Sequence, residues 1–178
     1  MRRWSDWRKR GADAIPDLLL LRHAKSDWHA DYGRDFDRPL NARGRKAAEA
    51  MGKFLAKQPA IDRVLASPAR RVAETLDRVG AHCDLPEIEW VESLYGASQG
   101  TVVDLARRCL VERLLVAGHN PVTHMVAATL TRPDGSEDWH MLQRKYPTGA
   151  LVELRFMSWD DIGAGNGELL RFVRPRDL

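Results

Sequence analysis

An arginine and a histidine stand side by side at the end of an apolar run near the start of this 178-residue chain. The run covers residues 18–21, and Arg22 and His23 follow it directly. A buried strand of a parallel sheet has this composition, and open α/β sheets bind their ligands beyond the carboxyl ends of such strands. The pair alone is weak evidence for catalysis, because a solvated strand end can contain the same two residues.

Polar residues also follow three later apolar runs. Arg70 follows the second run, Glu92 follows the third and His119 follows the fourth. If these strands are parallel, their carboxyl ends meet at one edge of the sheet, near helix N-termini that favour anions. Two guanidinium groups, two imidazoles and one carboxylate would then lie together. This set suits a phosphate site that contains a nucleophile and an acid.

The chemistry predicted for these residues is phosphoryl transfer. Arg22 and Arg70 are expected to hold the equatorial phosphate oxygens through paired N–H donors, and His119 adds another donor. His23 is expected to attack phosphorus and form a covalent phosphohistidine, and nearby cations favour the neutral ring that this step needs. Glu92 is the predicted general acid, which protonates the leaving group and later accepts a proton from the attacking water.

The alternation of apolar runs with helical patterns predicts a three-layer α/β/α sandwich with a mostly parallel sheet. The predicted strands cover residues 17–22, 63–66, 88–91, 113–117, 149–156 and 168–173. Helices are expected after Asn41, after Pro68, around residues 102–110 and after Pro121. The glycine-rich residues 163–167 predict a hairpin turn. Two long polar loops remain, residues 25–39 and 132–147, and loops of this length are often functional.

The length of the chain favours one domain, which we assign to residues 17–178. Residues 1–16 precede the first strand and contain five basic residues and two tryptophans. Such a segment would suit a membrane surface or nucleic acid. We interpret it as a mobile or loosely packed N-terminal extension, because termini without a helix or strand pattern are usually poorly ordered.

Several classes of protein are disfavoured by the composition. No stretch has the length or apolarity of a membrane span or a signal peptide, so a cytoplasmic location is expected. Cys83 and Cys109 form no CxxC motif, and the spacing of His119 and His124 is not that of HExxH, so no metal site is expected. The net charge of +3 and the pI near 9.1 suit an anionic partner. No nucleic-acid-binding motif accompanies that charge.

Four motifs, in order, resemble the histidine phosphatase superfamily, which has the phosphoglycerate-mutase-like fold. They are LRHA at residues 21–24, SPxR at 67–70 followed by Thr75, ExxYG at 92–96 and GHNP at 118–121. The short chain, the RHAKSDW sequence and DRPL with Gly44 resemble its SixA-type phosphohistidine phosphatases. The resemblance implies that His23 accepts the phosphoryl group, that Arg22, Arg70 and His119 bind phosphate, and that neither metal nor organic cofactor is needed. The family's usual Arg-His-Gly is Arg-His-Ala here, and Ala24 excludes a backbone conformation that requires glycine.

We therefore expect a metal-independent phosphatase that works through a phosphohistidine on His23 and acts on phosphohistidine in a signalling protein. Such a substrate has a good leaving group, so activity can survive without Glu92. The alternatives are hydrolysis of a small phosphomonoester, such as a sugar phosphate or nucleotide, and a non-catalytic phosphate-binding protein. A basic cluster beside the pocket is either a solvated helix start or a surface that steers a phosphorylated partner. Its members are Arg34, Arg38, Arg43, Arg45 and Lys46.

Overall fold

The computed structural model describes residues 15–178, and a six-stranded sheet forms its centre. The strands are β1 (Asp17–Arg22), β2 (Arg63–Ala66), β3 (Ile88–Trp90), β4 (Arg113–Gly118), β5 (Leu151–Arg155) and β6 (Glu168–Val173). Their order across the sheet is β3-β2-β4-β1-β5-β6. The first four strands run parallel, whereas β5 and β6 are antiparallel to their neighbours. The predicted α/β fold with a mostly parallel sheet is confirmed.

Helices cover both faces of the sheet and create the three layers. They are α1 (Ala42–Leu55), α2 (Arg70–Gly80), α3 (Gln99–Arg107), α4 (Val122–Leu130) and α5 (Glu137–Arg144). Side chains alternate along β1, so Leu19 and Leu21 pack with α1 and α2 on one face. Leu18 and Leu20 pack with the other three helices on the opposite face. This central strand is therefore buried on both sides, as its uninterrupted leucines predict.

The second predicted loop, residues 132–147, contains a helix that the sequence analysis did not identify. Helix α5 begins after Ser136, whose side chain accepts a hydrogen bond from the backbone N–H of Trp139 at 3.1 Å. Leu142 is the one fully buried residue within this helix. A single buried position gives little periodic signal, which explains why the sequence pattern did not predict the helix. The first predicted loop remains a loop, apart from a short 3₁₀ turn at Asp35–Asp37.

The segment between β5 and β6 connects two antiparallel neighbours, as the glycine-rich sequence predicts. It contains a 3₁₀ turn at Trp159–Asp161 and then Gly165, whose φ of 71° lies in the left-handed region that favours glycine. The predicted extension at residues 1–16 falls outside the described residues except for its last two positions. Within residues 15–178, no helix combines the length and apolarity needed to cross a membrane.

The carboxyl ends of β1, β2 and β4 lie next to one another, and hydrogen bonds continue beyond the strands. The backbone N–H of His23 donates to the carbonyl of Gly118 at 3.0 Å. The N–H of Ser67 donates to the carbonyl of Ala117, also at 3.0 Å. The residues that follow the three strands are thus fixed relative to one another by the backbone of the sheet itself.

Candidate active site

His23 is held as a neutral imidazole at the end of β1. Its side chain is buried, and Nδ1 lies 2.7 Å from the carbonyl oxygen of Ala24. Because a carbonyl only accepts hydrogen bonds, Nδ1 must carry the proton, and Nε2 keeps its lone pair. Burial is the main cause that lowers the pKa of His23 to about 3, and the charges of Arg71 and Arg22 lower it further. The ring is therefore uncharged at neutral pH, with its one proton on Nδ1.

The peptide group that orients His23 is itself fixed by helix α2. The N–H of Ala24 donates to Thr75 Oγ1 at 3.0 Å, and the Thr75 hydroxyl donates to the carbonyl of Arg71 at 2.6 Å. No described residue other than glycine has a positive φ, so Ala24 adopts a backbone conformation open to any L-residue. The departure from Arg-His-Gly therefore leaves the local backbone unstrained.

Helix α1 also packs closely against the segment after His23. A Cβ atom on Gly44 would lie 2.0 Å from the carbonyl oxygen of Lys25, so only glycine fits there. The N–H of Asn41 donates to the same carbonyl at 3.0 Å, and the Asn41 side chain caps α1 by accepting from Gly44 N at 2.8 Å. The start of α1 thus packs directly on the backbone that positions His23.

His119 lies opposite His23, with 5.3 Å between the ring centroids. Its Nε2 is 2.8 Å from the hydroxyl of Ser67, which is completely buried. Burial lowers the pKa of His119 to about 4, and the charge of Arg71 contributes. If the Ser67 hydroxyl donates to Nε2, the proton of His119 is on Nδ1, which is buried and has no hydrogen-bond partner among the described residues. Nδ1 is then a donor available to an anion.

The charges of Arg22 and Arg71 act on both histidines. Arg22 donates from Nη1 to the carbonyl of Tyr146 at 2.6 Å, and its buried Nε has no partner among the described residues. Arg71 is 5% exposed and holds Asp35 through Nη1 to the backbone carbonyl at 2.7 Å and Nη2 to the carboxylate at 3.1 Å. Its Nε is likewise buried without a partner among residues 15–178.

The structure places Arg70, the arginine predicted from the sequence, outside this group. Its side chain is 53% exposed and its Nε lies 2.7 Å from Glu74 Oε1, in an ion pair along the surface of α2. Arg71, the next residue, points instead to the two histidines. The correction arises because consecutive residues of a helix face different directions, so only one of the two arginines can face the end of β1.

Asp35 is a site residue that the sequence analysis did not identify. Besides Arg71, its carboxylate accepts from Arg38 Nε at 3.0 Å and from the Tyr95 hydroxyl at 3.3 Å. Partial burial alone would raise the pKa of Asp35, but the charges of Arg71 and Arg38 hold it below its usual range. The ring of Tyr95 also makes an edge contact with His119, at 5.5 Å between centroids. Asp35 thus links the loop at residues 25–39 to the histidine pair.

The remaining predicted residue, Glu92, lies at the same edge of the sheet but on the surface. It begins a 3₁₀ turn after β3, and its exposed carboxylate makes no hydrogen bond or ion pair with another described residue.

In the basic cluster, Arg38 is buried and its guanidinium stacks 3.6 Å from the ring centre of Trp28, which is 61% exposed. Arg34 pairs with Asp37 at 2.9 Å. Within the part of the chain that the structure describes, no group of His, Cys, Asp or Glu side chains could hold a metal ion.

The chain is similar to known proteins over most of its length. The sequence profile of the histidine phosphatase superfamily (branch 1) matches residues 18–103. An uncharacterised protein of Mycobacterium tuberculosis is 39% identical over 162 residues, covering 88% of this chain and all of that protein. A solved structure assigned as the phosphohistidine phosphatase SixA of Nakamurella multipartitia has a TM-score of 0.79 and 27% identity, covering 91% of this chain and 97% of its own. Another, assigned as SixA of Agrobacterium tumefaciens, has a TM-score of 0.75 and 28% identity over 90% and 99% of the two chains.

These similarities extend over most of the chain, and the family profile covers residues 18–22 of β1 and His23. The chain belongs to the histidine phosphatase superfamily and is a phosphatase, and the cluster at the carboxyl edge of its sheet is its candidate active site.

Proposed function

We propose that this phosphatase transfers a phosphoryl group from its substrate to Nε2 of His23 and then to water. One observation carries the proposal, the hydrogen bond from His23 Nδ1 to the carbonyl of Ala24. It leaves Nε2 as an unprotonated nucleophile beside the charges of Arg22 and Arg71. Because an imidazolium has no lone pair to attack phosphorus, the low pKa of His23 keeps the nucleophile available at neutral pH.

Arg22, Arg71 and His119 bind the phosphoryl group in this proposal. Each has a buried nitrogen without a partner among the described residues, and each of these nitrogens can donate to an equatorial oxygen. Charge spreads over those oxygens in the transition state, so donors fixed in a buried site stabilise it more than they stabilise the substrate. Arg71 takes the role that the sequence analysis gave to Arg70, because Arg70 is exposed and paired with Glu74.

The reaction has two displacement steps. In the first, the Nε2 lone pair forms an N–P bond while the bond from phosphorus to the leaving atom breaks, and the carboxylic acid of Glu92 protonates that atom. In the second, water attacks phosphorus and gives its proton to the Glu92 carboxylate. The electron pair of the N–P bond returns to His23, which regenerates the free enzyme and releases phosphate.

The proposed substrate is phosphohistidine on a signalling protein. The imidazole of phosphohistidine is a good leaving group, which suits a site whose candidate acid is exposed and unsupported by neighbouring side chains. Trp28 and Tyr95 have exposed rings on elements that contact the site, and exposed aromatic side chains are typical of protein-binding surfaces. The two solved relatives of 27–28% identity are assigned as phosphohistidine phosphatases, which also supports this substrate.

The first experiment measures phosphate release in EDTA from a phosphohistidine-bearing protein and from a panel of sugar phosphates, nucleotides and p-nitrophenyl phosphate. Wild type is compared with His23→Ala and with the matched control His29→Ala, which removes an exposed histidine of the same loop. We expect the fastest release from phosphohistidine, loss of release in His23→Ala and full activity in His29→Ala. A His23-dependent preference for one phosphomonoester would support the mechanism but show that the substrate is that phosphomonoester and not phosphohistidine. Release that does not depend on His23, or no release, would favour a phosphate-binding protein.

A second experiment tests Glu92 through the leaving group. Glu92→Gln is compared with Glu87→Gln, which changes an exposed glutamate at the opposite end of β3. A general acid matters most when the leaving group is poor, so Glu92→Gln should slow hydrolysis of alkyl phosphates far more than that of p-nitrophenyl phosphate. Equal slowing of both substrates, or no slowing of either, would assign Glu92 another role.

A further inference from the structure

A basic cavity lies beside the active site and shares none of its residues. Its volume is about 230 Å³, and it is enclosed by the segment after β1, the start of α1, the chain after α5 and the C-terminal residues. Five cationic side chains line it, and no Asp or Glu is among the lining residues. These side chains are Lys25, Arg43, Lys145, Arg174 and Arg176.

Among the described residues, neighbouring carboxylates do not balance the positive charge of this cavity. Asp177 pairs with both Arg174 and Arg176. Lys25, Arg43 and Lys145 make no ion pair or side-chain hydrogen bond with any other described residue. Within residues 15–178, these five cations thus share one carboxylate, that of Asp177, whereas the formal excess of the whole chain is only +3. Like charges brought together in a concave surface repel one another unless an anion joins them.

One of these cations is mostly buried. The Arg174 side chain is 13% exposed, and its Nε pairs with Asp177. Its Nη1 is buried and has no hydrogen-bond partner among the described residues. A buried guanidinium nitrogen normally has an acceptor, because desolvation without a partner is unfavourable. Arg174 therefore lines the cavity with a guanidinium group that has one nitrogen without a partner among the described residues.

The loop at residues 145–149 contributes to both sites but through different groups. The carbonyl of Tyr146 accepts from Arg22, and the N–H of Gly149 donates to the carbonyl of His23 at 2.9 Å. Lys145 and Thr148 line the basic cavity instead. The two sites are adjacent, with distinct lining residues, so their occupation can be measured separately.

We propose that this cavity is a second anion site, which binds a phosphate or diphosphate group independently of the site that contains His23. Its volume is below the 300–1,000 Å³ or so of pockets that enclose a whole organic ligand, which suits a single charged group. Guanidinium and ammonium groups from separate segments match the several oxygens of such an anion. The group can come from free pyrophosphate or from a phosphoryl group on a larger molecule.

The test is a titration of the ¹⁵N-labelled full-length protein with pyrophosphate, followed by backbone amide shifts. Thr148 and Arg176 report on the cavity, while His23 and Gly118 report on the active site. Both pairs should shift in the wild type. In Arg43→Gln/Lys145→Gln the cavity pair should bind at least about tenfold more weakly, because two charged contacts are lost. The active-site pair should remain unchanged, as should kcat/KM for p-nitrophenyl phosphate, a small substrate that needs no protein-docking surface.

The matched control is Lys57→Gln/Arg108→Gln, which removes two exposed cations outside the cavity. It should bind pyrophosphate at Thr148 and Arg176 as the wild type does. Absence of shifts at those two amides in the wild type would overturn the proposal, as would equal weakening by the control, which would indicate non-specific charge. Parallel titrations with ADP and with a phosphoserine peptide identify the source of the anion. If either binds the cavity more tightly than pyrophosphate does, the natural ligand is a phosphoryl group on a larger molecule.

Discussion

Replacement of Arg71 tests the assignment of the phosphate-binding arginine. Its Nη1 and Nη2 hold Asp35, so Nε and the charge of the group are what it offers to a phosphoryl group. Loss of one fixed donor to a developing anion typically costs about 10²–10³ in kcat, or roughly 2.7–4 kcal/mol. We therefore expect Arg71→Ala to lower kcat/KM by about 10²–10³, measured as initial rates of phosphate release.

Arg70→Ala is the matched control, since it removes the same side chain from the adjacent position. The exposed pair between Arg70 and Glu74 is an i,i+4 contact worth about 0.3–0.5 kcal/mol. A change of that size in stability shifts the melting temperature by about 2 °C at most, and it leaves the active site untouched. We expect kcat/KM of Arg70→Ala to stay within about twofold of the wild type.

A structural effect of Arg71→Ala must be separated from the loss of the donor, because the variant leaves Asp35 without its partner. Arg71→Lys keeps the positive charge but loses the planar fork, so its activity should fall between those of wild type and Arg71→Ala. Urea unfolding of all three variants gives their stabilities under the assay conditions. If Arg70→Ala loses more activity than Arg71→Ala while both remain folded, the site geometry described above is refuted.

Three further predictions concern the buried histidines, Gly44 and Asp35. Unfolded imidazoles titrate near 6.5, whereas burial holds the pKa of His23 near 3 and that of His119 near 4 in the folded protein. Protons therefore bind preferentially to the unfolded chain between those values, so the free energy of unfolding should fall as the pH drops below about 6.5. Urea titrations should show a shallower acid limb in the His23→Gln/His119→Gln variant, and an unchanged slope would contradict the burial of both rings. Gly44→Ala places a methyl against a backbone carbonyl and should cost about 1–3 kcal/mol in urea unfolding, with reduced kcat. Gly100 is a helical glycine with ordinary space around it, so Gly100→Ala should not lower the free energy of unfolding. Equal destabilisation by the two substitutions would refute the close approach of Gly44 to Lys25. Asp35→Asn removes the charge that holds the buried arginine, and we expect about a tenfold lower kcat/KM, whereas unchanged kinetics would make Asp35 a purely structural residue.

The parts of the site that sequence could predict are those attached to strongly patterned strands. β1 contains four consecutive leucines and β4 is apolar from Leu114 to Ala117, so their carboxyl ends are identifiable, and with them His23 and His119. A parallel sheet then places both ends at the same edge, and the observed strand order makes β1 and β4 neighbours. Backbone geometry alone brings these histidines together, and no knowledge of side-chain contacts is needed.

Asp35 could not be predicted in the same way. Its loop has no apolar periodicity, and its partner Arg71 is 36 positions away in the chain. Such a contact depends on how the loop packs on α2, which no local pattern encodes. The same limitation applies to α5. Only one of its side chains is buried, so its sequence has little apolar periodicity, and the helix depends on packing against the neighbouring chain.

The choice between Arg70 and Arg71, by contrast, was available from the sequence. Residues four apart on a helix lie on the same face, so Arg71 shares a face with Thr75 and Arg70 shares one with Glu74. Thr75 belongs to the recognised motif, and its hydroxyl binds the backbone of Ala24 next to His23. The residue one turn before Thr75 must then face the end of β1 as well. Two criteria could select the arginine, its helical face or its position in sequence after the strand. Arg70 comes first after β2, but Arg71 shares a helical face with Thr75. The helical face is therefore the better criterion here.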